Sequence, residues 1–101
     1  MNKVLFPKKD YVKELVRIFK LSKNSQKLVK TLSKYHEKDI AEAITLLTPA
    51  ERQHIYNVLD EHMIAEIFSY LDDTEKYLEE LSLEKAARVV SYMDSDDAVD
   101  V

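Results

Sequence analysis

The spacing of hydrophobic and polar positions predicts a chain made of short helices. Four apolar residues near the start follow the i, i+3, i+4, i+7 spacing of one helix face: Val12, Leu15, Val16 and Phe19. We therefore expect a first amphipathic helix over about residues 10–21. A second helix is predicted after Asn24-Ser25, where the apolar positions are Leu28, Leu32 and Tyr35.

A repeated pattern begins after His36 and indicates helices in stacked pairs. Three apolar positions recur after 24 residues and again after 22: Ile40, Ile44 and Leu47, then Ile64, Phe68 and Leu71, then Ala86, Val90 and Met93. Shorter helices are expected between them, where Ile55, Tyr56 and Leu59 correspond to Tyr77, Leu78 and Leu81. Repeats of this kind bury a continuous core by stacking on their neighbours. We predict an all-α helical solenoid with two helices per repeat of about 22–24 residues.

Capping residues predict where helices begin. Thr48-Pro49-Ala50-Glu51 is a capping box with proline at the first helical position, where its missing N–H costs nothing. Further N-cap candidates are Asp72, with Glu75 three residues on, Ser82 and Ser95. A helix that starts at Ser95 would be cut short at Val101, so we expect the sequence to be a fragment of a longer protein.

The composition excludes several classes of functional site. The 101 residues include no Gly, no Cys and two Pro. Phosphate-binding loops, dinucleotide fingerprints, nucleophile elbows and EF-hand loops need glycine, so none is present in standard form. Without cysteine there is no disulfide and no thiolate metal site. No apolar run is long enough to cross a bilayer.

The net charge of −4 divides unevenly along the chain. Residues 1–34 carry ten Lys and Arg against two acidic residues, a net charge of +8, whereas residues 35–101 carry five against seventeen, −12. We therefore predict a basic N-terminal helical arm over residues 1–34 and an acidic helical-repeat domain over residues 35–101. The arm lacks a nucleic-acid motif, so no nucleic acid partner is predicted. A solvated face, or an arm docked on acidic surface, is the expected arrangement.

Four carboxylates lie within seven residues near the end of the chain: Asp94, Asp96, Asp97 and Asp100. If a helix starts at Ser95, they occupy its positive end, and an acidic first turn that satisfies the macrodipole is one interpretation. Carboxylates about 5 Å apart in water also repel by roughly 0.8 kcal/mol per pair. A hard divalent cation removes that repulsion, and oxygen-only clusters suit Mg²⁺ or Ca²⁺.

A further candidate ligand is Glu66, which lies on a predicted helix opposite its apolar positions. It is either a solvated glutamate or a cation contact, and Glu42 occupies the same place one repeat earlier. The three histidines lack the spacing of a zinc site and are expected to be surface or capping residues: His36, His54 and His62. No serine or lysine lies in a nucleophile motif, so we predict that the chain is not an enzyme. The repeat-equivalent Tyr70 and Tyr92 are expected to pack between layers.

Several segments, in order, resemble the cytosolic N-terminal domain of MgtE-type magnesium transporters. They are Tyr35-His36-Glu37-Lys38-Asp39-Ile40-Ala41-Glu42, Leu46-Leu47-Thr48-Pro49-Ala50-Glu51-Arg52, Ile64-Ala65-Glu66-Ile67 and Asp94-Ser95-Asp96-Asp97-Ala98-Val99-Asp100. The corresponding family segments read Leu-His-Pro-Ala-Asp-Ile-Ala-Glu, Leu-Pro-Pro-Glu-Glu-Arg, Ala-Ala-Glu-Val and Ser-Pro-Asp-Asp-Ala-Ala-Asp. The resemblance covers about residues 28–101.

The resemblance implies a right-handed superhelix that senses Mg²⁺ and favours closure of a transport pore. It places acidic Mg²⁺ contacts at Glu66, Asp96, Asp97 and Asp100, shared with CBS domains that follow in the same polypeptide or its dimer mate. It further implies a transmembrane domain, a homodimer and a location at the cytoplasmic face of the bacterial cell membrane, with the fragment itself soluble. We expect weak Mg²⁺ binding by the fragment, because half of each site lies on the CBS domains.

An alternative is a protein-interaction module of the flagellar motor switch type. The flagellar motor switch protein has similar short helical repeats with a Glu-His-Pro-Gln signature. Here His36 is followed by Glu37-Lys38, which weakens this alternative.

Overall fold

The chain folds into helices throughout the part that the structure describes. The structure is a computed structural model, and it describes residues 10–99, with side chains described as far as Met93. Within those residues there are seven helices and no strand: α1 Tyr11–Leu21, α2 Ser25–Leu32, α3 Glu37–Thr45, α4 Pro49–Val58, α5 Glu61–Phe68, α6 Thr74–Leu78 and α7 Leu83–Val99. The predicted all-α class is confirmed, and the right-handed superhelix stays a prediction.

Side-chain N-caps start most of these helices. An oxygen or nitrogen of the N-cap residue accepts a hydrogen bond from a backbone N–H of the first turn in α1 to α5, at Asp10, Asn24, His36, Thr48 and Asp60. The predicted capping box at Thr48 is confirmed, because Glu51 N donates to its Oγ1 at 3.2 Å and its own N donates to Glu51 Oε1 at 2.9 Å. The predicted cap at Ser82 is also present, with Lys85 N donating at 3.2 Å.

Two predicted caps are wrong. The residue at the N-cap position of α6 is Asp73, not Asp72, and it makes no side-chain capping bond. The Thr74 hydroxyl instead donates to the carbonyl of Leu71 at 3.1 Å, which ties this five-residue helix to the preceding turn.

The second wrong cap is Ser95, which lies inside α7 and starts no helix. The backbone is helical without interruption from Leu83 to Val99. This stretch contains neither glycine nor proline, so no residue in it breaks the helical hydrogen-bond ladder. Serine is a good N-cap, but it is also tolerated within a helix. Asp96 and Asp97 are therefore in the last turns of a long helix, not in the first turn of a new one.

The odd-numbered helices pack in sequence order, α1 on α3, α3 on α5 and α5 on α7. Most of the repeated apolar positions are buried, including Ile40, Ile44, Ile64 and Phe68. In α7 the prediction is wrong by one residue, because Val89 is fully buried whereas Val90 is exposed. Where neighbouring positions are both valine, the sequence does not distinguish the inward one.

The hydrophobic core includes residues from both predicted parts of the chain. Leu15 and Phe19 of α1 and Leu28 and Leu32 of α2 are buried in the same cluster as the repeat residues. The division into a basic arm and an acidic domain stays a prediction. None of the helices within residues 10–99 is long and apolar enough to span a membrane.

Candidate functional site

The first candidate cation ligand, Glu66, is held on the outer face of α5. This helix starts at the Asp60 cap, whose Oδ1 accepts from Met63 N at 2.8 Å. Ile64, Ile67 and Phe68 are fully buried, which fixes the rotation of the helix about its axis. The Glu66 carboxylate therefore points away from the core, as predicted, with 45% of its side chain exposed.

One turn earlier on the same face lies His62. Its Nδ1 is 3.8 Å from Glu66 Oε1, and 56% of the side chain is exposed. The imidazole packs edge-on against the ring of Tyr92 on α7, with the ring centroids 5.2 Å apart. A neighbouring contact joins the same two helices, since Arg88 Nε donates to Glu61 Oε2 at 2.7 Å. Glu66 thus lies one helical turn from the place where α5 meets α7.

The remaining candidate ligands lie at the end of α7. Asp96 and Asp97 belong to its last turns by backbone conformation, and Asp96 follows Tyr92 by one turn. Their side chains and the whole of Asp100 lie outside the described residues. Among the side chains that are described, no three acidic or histidine groups come together as metal ligands. The four predicted Mg²⁺ contacts stay a prediction.

Sequence reasoning missed the most buried charged group of the described chain, Arg52 on α4. Its side chain is 6% exposed, and the guanidinium forms a bidentate pair with Glu80, with Nε 2.8 Å from Oε1 and Nη2 2.6 Å from Oε2. Nη1 donates to the carbonyl of Leu47 at 2.5 Å and to that of Ile44 at 3.4 Å. The Tyr56 hydroxyl donates to Glu80 Oε1 at 2.7 Å. This network joins α4 to the turn between α6 and α7.

The network changes the ionisation of its members. Partial burial raises the pKa of Glu80, but hydrogen bonds from Arg52 and Tyr56 outweigh it and hold that pKa below its ordinary value of 4.5. The hydrogen bond to Glu80 raises the pKa of Arg52. Burial, followed by the hydrogen bond to Glu80, raises the pKa of the Tyr56 phenol well above its ordinary value. The charged pair is therefore stable at neutral pH.

The histidines and repeat-equivalent tyrosines form ring contacts at the surface. His36 caps α3 through Nδ1, which accepts from Lys38 N at 3.0 Å, and its ring packs edge-on against Tyr70. Tyr92 packs on His62 in the same manner. The prediction that both tyrosines pack between layers is therefore met only in part, because each remains 40% or more exposed. The prediction of surface or capping histidines is confirmed.

Contacts also join the basic segment to the rest of the chain. The Tyr35 hydroxyl donates to a carboxylate oxygen of Glu14, and this hydrogen bond raises the pKa of Tyr35 to about 12. Lys20 Nζ lies 3.8 Å from Glu51 Oε2, at the start of α4. The other lysines of α1 and α2 are exposed, as expected of a solvated basic face.

These features describe an all-helical domain with an acidic, partly exposed surface. The sequence matches the family described as the MgtE intracellular N domain over residues 35–101, about two thirds of the chain. The chain belongs to this family, which is a cytosolic domain of magnesium transporters and not a family of enzymes. Neither the curated proteins nor the solved structures contain a match to the chain.

Proposed function

We propose that this chain is the Mg²⁺-sensing domain of a magnesium transporter, and that Mg²⁺ bound on its acidic surface favours closure of the pore. The observation that carries the proposal is the family match over residues 35–101. It covers every residue proposed as a contact: Glu66, Asp96, Asp97 and Asp100. The domain has no catalytic role in this proposal.

The chemistry of Glu66 suits the proposed role. Its carboxylate is nearly half exposed, and among the described residues its ion-pair contact is with His62 and not with a lysine or arginine. The charge is therefore available to a cation from solution. Mg²⁺ binds oxygen ligands, keeps several waters and requires only one or two carboxylates from a protein. Glu66 can supply one, and the aspartates that follow Tyr92 on α7 are proposed to supply others.

The proposed mechanism is an equilibrium between two arrangements of the transporter's cytosolic domains. The predicted partners are CBS domains of the same polypeptide or its dimer mate, in a homodimer. When Mg²⁺ is scarce, the acidic surface of residues 35–101, with a net charge of −12, repels other acidic surfaces. Bound Mg²⁺ removes this repulsion and bridges the domains. Because Mg²⁺ has the higher affinity for the bridged arrangement, a rise in Mg²⁺ concentration shifts the equilibrium toward that arrangement.

The architecture proposed with this function is the right-handed superhelix of helix pairs. The contacts of α1, α3, α5 and α7 in sequence order support it. Such an arrangement would present equivalent residues of successive repeats, such as Glu42 and Glu66, along one surface.

Replacing two of the proposed contacts tests this function in the transporter that carries the domain. We expect Asp96→Asn with Asp100→Asn to keep Mg²⁺ influx open at cytosolic Mg²⁺ concentrations that stop the wild type. The half-closing concentration should rise about tenfold or more, equivalent to a loss of about 1.4 kcal/mol of binding. Uptake into proteoliposomes loaded with graded Mg²⁺ measures it.

The matched control removes two carboxylates elsewhere, Glu79→Gln with Glu84→Gln, both exposed in the structure. This variant should close at the wild-type concentration. If the Asp96→Asn with Asp100→Asn variant also closes at the wild-type Mg²⁺ concentration, the assignment of these contacts is wrong. Tight, stoichiometric Mg²⁺ binding by residues 1–101 alone, measured by calorimetry, would contradict the proposal that the sites are shared with another domain.

A further inference from the structure

The His62–Glu66 pair has the geometry of two ligands to one metal ion. The residues are one helical turn apart on α5, so their side chains lie on the same face. His62 Nδ1 and Glu66 Oε1 are 3.8 Å apart, which is too long for a hydrogen bond. With metal–ligand bonds of about 2.0–2.2 Å, two adjacent ligand atoms lie about 3.4 Å apart in a tetrahedral site and about 3.0 Å apart in an octahedral one. A small side-chain rotation closes the difference.

Both ligand atoms are accessible, and the ion-pair contact of each is with the other. Each side chain is about half exposed, and within the described residues neither makes a hydrogen bond or contacts a lysine or arginine. The edge-on contact with Tyr92 restrains the imidazole while leaving Nδ1 directed at Glu66. A metal ion would therefore bind groups that are already close together, with little side-chain ordering left to oppose binding.

The pairing is specific to one histidine and one repeat. Of the three histidines, His62 alone has a carboxylate four residues later, since Ile40 follows His36 and Val58 follows His54 at that spacing. In the preceding repeat, Glu42 occupies the place of Glu66, but the residue four positions earlier is Lys38. A lysine there repels a cation, whereas an imidazole binds one.

We propose that His62 and Glu66 bind a divalent first-row transition-metal ion of the Mn²⁺ to Zn²⁺ series, with water completing the coordination. Imidazole nitrogen favours these metals, whereas Mg²⁺ prefers oxygen ligands throughout. The inference rests on the proposed function, because Glu66 is also a proposed Mg²⁺ contact. A transition-metal ion therefore competes with Mg²⁺ for this carboxylate. The domain would then respond differently to the two kinds of ion.

Calorimetric titration of residues 1–101, prepared without a histidine tag, tests the proposal with MnCl₂, CoCl₂ and NiCl₂. The wild type should bind more tightly from Mn²⁺ to Ni²⁺, the usual order for a nitrogen-containing site. His62→Gln should weaken Ni²⁺ binding about tenfold or more and flatten the series, with far-UV circular dichroism confirming the fold. The control His54→Gln, at an exposed histidine on α4, should bind as the wild type does.

Two results would overturn the inference: equal Ni²⁺ affinity of His62→Gln and the wild type, or an equal loss in His54→Gln. Glu66→Gln supplies a second variant and should also weaken Ni²⁺ binding. The proposed function fails separately, through Mg²⁺ gating of the transporter. The Asp96→Asn with Asp100→Asn variant tests that function without involving His62, so the two proposals can fail independently.

Discussion

At the scale of single residues, burial decides which ion pairs stabilise the fold. Arg52 and Glu80 are both largely buried, and their charges are satisfied by a bidentate pair, a tyrosine hydroxyl and backbone carbonyls. The Arg88–Glu61 pair has a similar Nε to oxygen distance, 2.7 Å, but its arginine is 55% exposed. Exposed pairs of this kind contribute about 0–1 kcal/mol, whereas removing one partner of a buried pair costs about 3–5 kcal/mol.

Glu80→Gln should therefore lower the free energy of unfolding by about 3 kcal/mol, because it leaves the Arg52 charge unpaired. Glu61→Gln is the matched control and should cost at most about 1 kcal/mol. Urea unfolding followed by circular dichroism measures both. Since the pKa of Glu80 is lowered, its contribution is present at neutral pH and is lost as the pH falls below 4.5, where the variant and wild type should converge. Equal losses in the two variants would show that burial does not separate these pairs.

This network could not be predicted from the sequence, and the reason is physical. Arg52 and Glu80 are 28 residues apart, and nothing in local periodicity relates an arginine on one helix to a glutamate in a later turn. The same limit applies to the contact of Tyr35 with Glu14. Glu66, by contrast, could be placed on the exposed face of its helix, because that placement depends only on the spacing of Ile64, Ile67 and Phe68.

At the scale of helices, the sequence predicted some helix starts correctly and others wrongly. A cap involves residues within three positions of one another, so Thr48 and Ser82 were identified correctly. Ser95 is a serine like Ser82, but no helix ends directly before it, and α7 continues through it. The MgtE pattern has proline at this position. A proline would end one helix and begin the next, which serine does not enforce.

Ser95→Pro should therefore divide α7. Proline removes the N–H that bonds to the carbonyl of Ser91, at a cost of about 3 kcal/mol within an intact helix. The chain avoids that cost if the helix ends near Asp94. We expect lower helical content by circular dichroism and faster amide hydrogen exchange just before residue 95. Ser95→Ala, which retains the N–H, should keep the helix intact, and equal helical content in both variants would contradict the proposed break.

At the scale of the whole molecule, one core runs from α1 to α7. Periodicity predicted most of its members correctly, because burial on one helix face is a local property of the sequence. The apolar packing of α1 on α3 was not predicted, since the charge difference between the two parts of the chain suggested a basic arm that is solvated or docked on acidic surface. Leu15 and Phe19 contribute to the shared core, so the basic segment packs together with the repeats.

Leu15→Ala tests whether this core unfolds as a unit. Leu15 is fully buried, so the variant should lose about 2–5 kcal/mol of stability and still unfold in a single transition. Leu21→Ala, at a residue 70% exposed, should change stability by about 0.5 kcal/mol or less. Urea unfolding monitored by circular dichroism and tyrosine fluorescence checks for one transition. Two separate transitions would show that α1 unfolds independently of the repeats.

The position of Arg52 has a consequence for how this glycine-free chain ends its helices. Many helices end on a glycine with positive φ, a residue that this chain does not contain. At the end of α3, the carbonyls of Ile44 and Leu47 instead accept hydrogen bonds from Arg52, whose positive charge also suits a helix C-terminus. The end of α3 is thus completed by a side chain of α4. Formation of one helix is thereby coupled to docking of the next, which favours cooperative folding of the pair.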